Sequence, residues 1–179
     1  TFYDKNDSTD SFFASDPERV IHAPHQLAEE TSYAQFRAYY YNNLALIYEA
    51  NEEREKAEQF YLKAVAECQS DDTIHFNAAH FYYTNGEYEK AYDQALLVKN
   101  ISNPDYVLLK GNLSLIMGRY EEFSELYSSL PKEIRMLPEM INLKGVYHFL
   151  INEEEVALDA LTSAVEKSNN PLIATNYLA

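Results

Sequence analysis

The stretch "NGEYEKAYDQALLV", residues 85–98, decides how this chain folds. Asn85-Gly86 is a turn signal. An aromatic and a charged run follow it, and then the small residues Ala91 and Ala95. "MGRYEEFSELYSSL", residues 117–130, has the same shape 32 residues further on. One copy fits any helical hairpin, whereas recurrence at a fixed distance is the mark of a repeat.

Aligned on its turns, the chain yields two series. After each turn stand three small or apolar residues at steps of four and three: Ala57/Tyr61/Ala64, Ala91/Ala95/Val98, Phe123/Tyr127/Leu130 and Ala157/Leu161/Ala164. Before each turn stands a small residue, namely Ala45, Ala79, Gly111 and Gly145. Both series advance by 34, 32 and 34 residues. Steps of three and four place side chains on one helical face, and a small residue on the first helix lets the second approach closely. Each repeat is therefore a helix, a tight turn and a helix. Its apolar face is buried only when the next pair stacks on it. Asn51, Asn85-Gly86, Gly118 and Asn152 are placed to supply a left-handed residue in each turn. Carboxylates crowd the start of each second helix (Glu52, Glu53 and Glu55; Glu87 and Glu89; Glu121 and Glu122; Glu153 to Glu155). Negative charge is favoured beside the free N–H groups of a helix start, so these acids read as helix stabilisers rather than catalytic pairs.

With this period, "YNNLALIYEANEEREKAEQFYLKAVAEC", residues 41–68, resembles the tetratricopeptide repeat family. Leu44, Ala45, Tyr48, Ala57, Tyr61 and Ala64 stand at the signature places, and the resemblance covers residues 38–179. It departs at Ser114 and His148, where Tyr48 and Tyr82 set an aromatic, and at Phe123, where the family favours a small residue. The period of 32 in the third copy leads us to expect a shortened connection near Pro104 and a different packing angle. The resemblance implies an all-α fold: a right-handed α-solenoid of antiparallel helix pairs, with about four repeats near 38–71, 72–103, 104–137 and 138–171. Residues 172–179, ending in "NYLA", read as a partial fifth repeat. This leads us to expect either a fragment of a longer protein, able to self-associate through an open end, or a tail that caps the fourth repeat. Residues 1–23 read as a polar, partly irregular extension without a signal peptide, and a helix is expected from Pro24, within an array covering 24–179.

Composition narrows the function. The net charge of −15 argues against a nucleic-acid backbone or an anionic lipid surface as partner. No apolar run approaches the roughly 20 residues of a membrane helix. Cys68 is the single cysteine, so it forms no intrachain disulfide and no cysteine-based metal site. A lone thiol suits a reducing, cytoplasmic setting and also a disulfide-free periplasmic one. There is no phosphate-binding loop, dinucleotide turn or HExxH motif, and no cofactor is implied. His22 and His25 in "HAPH" lack a third ligand, and His75 and His80 fall on different helical faces. "NDS", "NIS" and "NLS" are glycosylation sequons by pattern only, the last falling inside a predicted helix at Asn112.

The family's usual peptide site is a concave groove lined by first helices. Carried onto this sequence, that groove takes Tyr39, Asn42 and Leu46 from the first copy and Phe76, His80 and Tyr83 from the second. The third copy supplies Leu108, Asn112 and Leu115, and the fourth Asn142, Val146 and Phe149. Co-chaperone members clamp a C-terminal carboxylate with cations; the matching places here hold Asn42, Leu46, Asn77, Asp105 and Leu109, none of them basic. The resemblance thus implies a non-enzymatic scaffold that binds a protein or peptide segment of apolar or basic character. The alternative is a regulatory or capping domain of a larger enzyme or secretion machine, with the groove filled by its own chain.

Overall fold

Four turns of three residues, 51–53, 85–87, 117–119 and 151–153, set the geometry of the chain. In the computed structural model, which describes residues 34–168, each turn holds one residue with positive φ: Glu52 (61°), Gly86 (74°), Gly118 (68°) and Asn152 (63°). The next residue's N–H then reaches back to a carbonyl five places earlier, from Glu53 to Tyr48 (2.9 Å), Glu87 to Tyr82 (2.9 Å), Arg119 to Ser114 (2.8 Å) and Glu153 to His148 (2.8 Å). This closure satisfies carbonyls that the ending helix leaves free. The sequence pointed to Asn51 in the first turn. The left-handed residue there is Glu52, because the turn keeps its register with Gly86 rather than following the residue type.

The helices are α1 (Ala34–Ala50), α2 (Arg54–Glu67), α3 (Asp72–Thr84), α4 (Tyr88–Leu97), α5 (Pro104–Ile116), α6 (Tyr120–Ser129), the single turn α7 (Lys132–Arg135), α8 (Pro138–Leu150) and α9 (Glu154–Lys167). No strand occurs among the described residues. The fold is all-helical, with helices packed in pairs.

The unequal repeat length has a different origin from the one expected. First helices α3, α5 and α8 each have 13 residues. Second helix α2 has 14 residues, but α4 and α6 have 10. The connection before Pro104 is longer than the one before Asp72, not shorter. The step of 32 arises because α4 loses four residues while its connection gains two; after α6 a longer connection, carrying α7, restores 34. Pro104 at the first turn of α5, with the Asn103 side chain accepting from the Asp105 N–H at 3.0 Å, fixes where that helix starts.

The chain divides into two compact units at Ala78/Ala79, inside α3. In the first, Ala38, Ala64 and Ile74 form a buried cluster with Tyr41, Val65 and Cys68 against it. Phe60 stacks on Tyr48 at 5.3 Å, and the buried Tyr61 hydroxyl donates to Glu49 at 2.6 Å. In the second, Val107, Leu115, Phe123, Leu126, Leu130, Ile134, Met140 and Leu143 make one core. The small residues lie where helices touch: Ala57, Ala91 and Ala157 are at most 2% exposed. A methyl on Gly145 would stand 2.7 Å from Leu161 Cγ, and one on Gly111 3.4 Å from the Phe123 ring. The large Phe123 therefore sits beside a glycine, which keeps that helix pair close.

The acidic runs behave as helix starts. Glu55, Glu89, Glu121, Glu122, Glu154 and Glu155 occupy first turns. Glu53 pairs with Lys56 (2.9 Å) and Glu87 with Lys90 (2.7 Å), and the order reverses in Arg119–Glu122 (3.0 Å). Expectations for residues 1–33 and 169–179, including His22, His25, the polar extension and the partial fifth repeat, lie outside the described residues.

Candidate functional site

The residues expected to line a groove divide into three groups by surroundings. Tyr39 and Leu46 on α1, His80 on α3 and Phe149 on α8 are exposed, Phe149 by 61%. Phe76, Tyr83, Leu108, Asn112 and Val146 are half-buried. Asn42, Leu115 and Asn142 are buried, at 4%, 6% and 8% exposure.

Several already have partners. The Tyr39 hydroxyl donates to the Asp71 carboxylate. Asn42 accepts from the Asn77 amide at 3.0 Å, so two of the clamp positions satisfy each other inside the first unit. The Asn112 amide donates to the Leu108 carbonyl at 3.0 Å, one turn back on its own helix. Leu115 belongs to the core of the second unit, and Leu108 and Val146 pack against it. Tyr83 meets Tyr88 with ring centroids 5.9 Å apart. Helical spacing alone does not separate a groove residue from one leaning into the neighbouring helix, because the two faces adjoin. The pairing of Asn42 with Asn77 was legible only as two amides 35 residues apart.

The second unit also holds a cleft that the sequence reading missed. It lies between α6 and α8, has a volume of about 250 Å³, and is lined by Phe123, Ser124, Tyr127, Lys144, Tyr147, His148, Ile151 and Glu153. The Phe123 and Tyr147 centroids are 5.2 Å apart, and Tyr147 meets His148 edge-on at 5.1 Å. His148 Nδ1 donates to a Glu153 carboxylate oxygen at 2.7 Å. The Lys144 ammonium lies 6.0 Å from the centre of the Tyr127 ring. Burial raises the Tyr127 phenol above its ordinary value, partly opposed by the nearby Arg135 charge. The arrangement carries aromatic walls, one carboxylate and one ammonium, and no nucleophile paired with a base. Among the described residues no group of three His, Cys, Asp or Glu is placed to hold a metal ion, and no helix is long and apolar enough to cross a membrane.

The family model for the tetratricopeptide repeat matches residues 38–70, which contain α2 and most of α1. Residues 38–70 thus match a tetratricopeptide repeat, and the paired helices and turn register above give the described chain a TPR-like fold. The structure of PilF from Pseudomonas aeruginosa aligns at TM-score 0.62 and 19% identity, over 74% of this chain and 62% of the PilF chain. YrrB, described as a TPR protein with an unusual peptide-binding site, aligns at TM-score 0.46 and 18% identity, over 75% of this chain and 88% of its own. No curated protein sequence matches. Tetratricopeptide-repeat domains are in general protein–protein interaction modules and typically non-catalytic, and no enzyme family is detected in this chain.

Proposed function

We propose that this chain is a non-enzymatic scaffold that binds a protein or peptide segment along the exposed surface of its first helices. The carrying observation is the apolar area those helices leave in water. Phe149 is 61% exposed at the end of α8, and Leu46 and Tyr39 are 42% and 40% exposed on α1. Pairing with a second helix leaves these side chains uncovered, and exposed aromatics are the residue type that anchors interfaces. The surrounding acidity favours a basic or apolar segment. On this reading Tyr39, Leu46 and Phe76 are contact residues of the first unit and His80, Tyr83 and Phe149 of the second, where Asn112 offers its remaining amide proton to a peptide backbone. Leu108, Leu115 and Val146 hold the first helices in place, as do Asn42 and Asn142.

The test is quantitative capture of partners from native lysate by wild type, Phe149→Ala, Tyr83→Ala and a second-helix control, Gln59→Ala. Aromatic anchors commonly contribute about 2 kcal/mol, roughly thirtyfold in affinity. Loss of the same captured species in both aromatic variants, with the helical signal intact, supports the assignment. Equal capture by all four proteins refutes it.

A further inference from the structure

The cleft between α6 and α8 has a filled counterpart one repeat earlier. There Tyr92, 2% exposed on α4, is covered by the guanidinium of Arg119, whose Cζ lies 4.3 Å from the ring centre. Ser124 stands 32 residues after Tyr92, and Glu153 stands 34 after Arg119. Both substitutions remove bulk, and one reverses charge. The ring becomes a hydroxymethyl, and the cation that lay on it becomes a carboxylate. The cleft of about 250 Å³ lies beside those two smaller side chains, while Phe123, Tyr147 and His148 around it stand where the earlier repeat has Ala91, Leu113 and Ser114.

We infer that this cleft is a binding site for a single arginine side chain of a partner protein. The guanidinium would lie against the half-buried Tyr147 ring and pair with Glu153. Its volume is below the range of small-molecule and cofactor pockets and suits one long side chain. The Glu153 side chain is 51% exposed, and only one of its oxygens is engaged, by His148. The second oxygen makes no ion pair among the described residues. Lys144 also lines the cleft, but its ammonium already has the Tyr127 ring as a partner. Arg119 on Tyr92 shows that this repeat geometry accepts a guanidinium at an aromatic face. Charge points the same way: Glu154 and Glu155 follow Glu153 in the first turn of α9. A planar guanidinium matches a carboxylate and a ring together, which an ammonium does less well.

The proposal rests on the interaction-module reading only for the ligand's being a peptide, and the test does not use the first-helix surface. The full chain, labelled with 15N, is titrated with a blocked pentapeptide carrying one arginine between two leucines. Parallel titrations use citrulline or glutamate in place of the arginine. The expected result is saturable binding with amide shifts at Ser124, Tyr147, His148 and Glu153. Citrulline and Glu153→Gln should each weaken it about fivefold, the scale of one exposed charge-assisted pair. Ser124→Tyr, which restores the Tyr92 arrangement at an exposed position, should abolish binding without unfolding the chain. No binding, shifts elsewhere, equal binding of the citrulline peptide or by Glu153→Gln, or tighter binding of the glutamate peptide would each overturn it. Failure here leaves the capture experiment on Phe149 and Tyr83 untouched.

Discussion

Adding one methyl to Gly145 tests how closely α8 and α9 approach. The new Cβ would stand 2.7 Å from both Cγ and Cδ2 of Leu161 and 3.2 Å from the Leu161 backbone nitrogen. Carbon atoms in contact prefer about 3.5–4.0 Å. Rotating a terminal methyl does not relieve a clash with Cγ, and the backbone nitrogen moves only if the helices separate. Alanine gains about 1 kcal/mol over glycine in a helix interior, and overpacking costs about 1–3 kcal/mol. Gly145→Ala should therefore be destabilising by up to about 2 kcal/mol. Gly111 is the internal comparison. A Cβ there meets a terminal methyl of Leu143 at 3.2 Å and the Phe123 ring at 3.4 Å. A few tenths of an ångström of adjustment suffices, so Gly111→Ala should be neutral or gain up to about 1 kcal/mol. Urea melts followed by circular dichroism separate the two, and thermal midpoints should differ by about 2–4 °C per kcal/mol. If Gly145→Ala is as stable as Gly111→Ala, the close approach of α8 to α9 is wrong.

Glu52 is a non-glycine residue at φ 61°, so Glu52→Gly should stabilise by about 1 kcal/mol in urea melts; a loss would show that its side chain contributes to the turn. Ala91 is 0% exposed, so Ala91→Leu should cost about 1–3 kcal/mol, whereas Glu87→Gln, breaking a partly exposed pair with Lys90, should cost at most about 1. Burial pushes the Tyr40 phenol up to about 12 and raises Tyr61, which also donates to Glu49. The protonated phenols are thus favoured in the folded chain; their contribution is complete below about pH 10 and falls as pH rises above it, that of Tyr40 being lost by about pH 12 and that of Tyr61 later. Absorbance at 295 nm should show late-ionising tyrosines in step with loss of helix, and complete ionisation near pH 10 with helix intact would contradict it. A peptide ending in EEVD should bind no better than its scrambled control in fluorescence anisotropy, because none of the clamp positions is basic.

The helix pairs were legible because so few residues break helices here. With only four glycines in the chain, each turn signal stands out, and the small residues at steps of three and four follow it. Ala57, Ala91 and Ala157 are buried for the reason the spacing gave. Glu52 was not legible, since turn register overrides a residue's reluctance to take positive φ. The shortening of α4 was not legible either, because "ALLVKN" reads as helix until Val98 leaves it in extended conformation. Leu115 and Asn142 were read as lining residues. Both are buried, which depends on side chains of the neighbouring helix rather than on their own period.

The repeats differ from one another place by place around their turns. Before the first two turns an aromatic takes a cation: Lys56 lies 5.0 Å from the Tyr48 ring and Lys90 5.1 Å from Tyr82, each cation tied to the acid three residues earlier. In the third repeat Ser114 removes the aromatic. Arg119 replaces the acid and turns to Tyr92 of the repeat before, while Glu122 takes its charge. In the fourth, His148 stands in the aromatic's place and binds Glu153 directly, and the lysine's place holds Val156. The place of Tyr92 holds Glu58, Ser124 and Leu158 in the other repeats, so its buried ring is particular to the second repeat. The α6–α8 cleft is open to solvent at Ser124 and Glu153, and the Tyr147 ring and the half-engaged Glu153 carboxylate offer an outside side chain both an apolar and a charged contact.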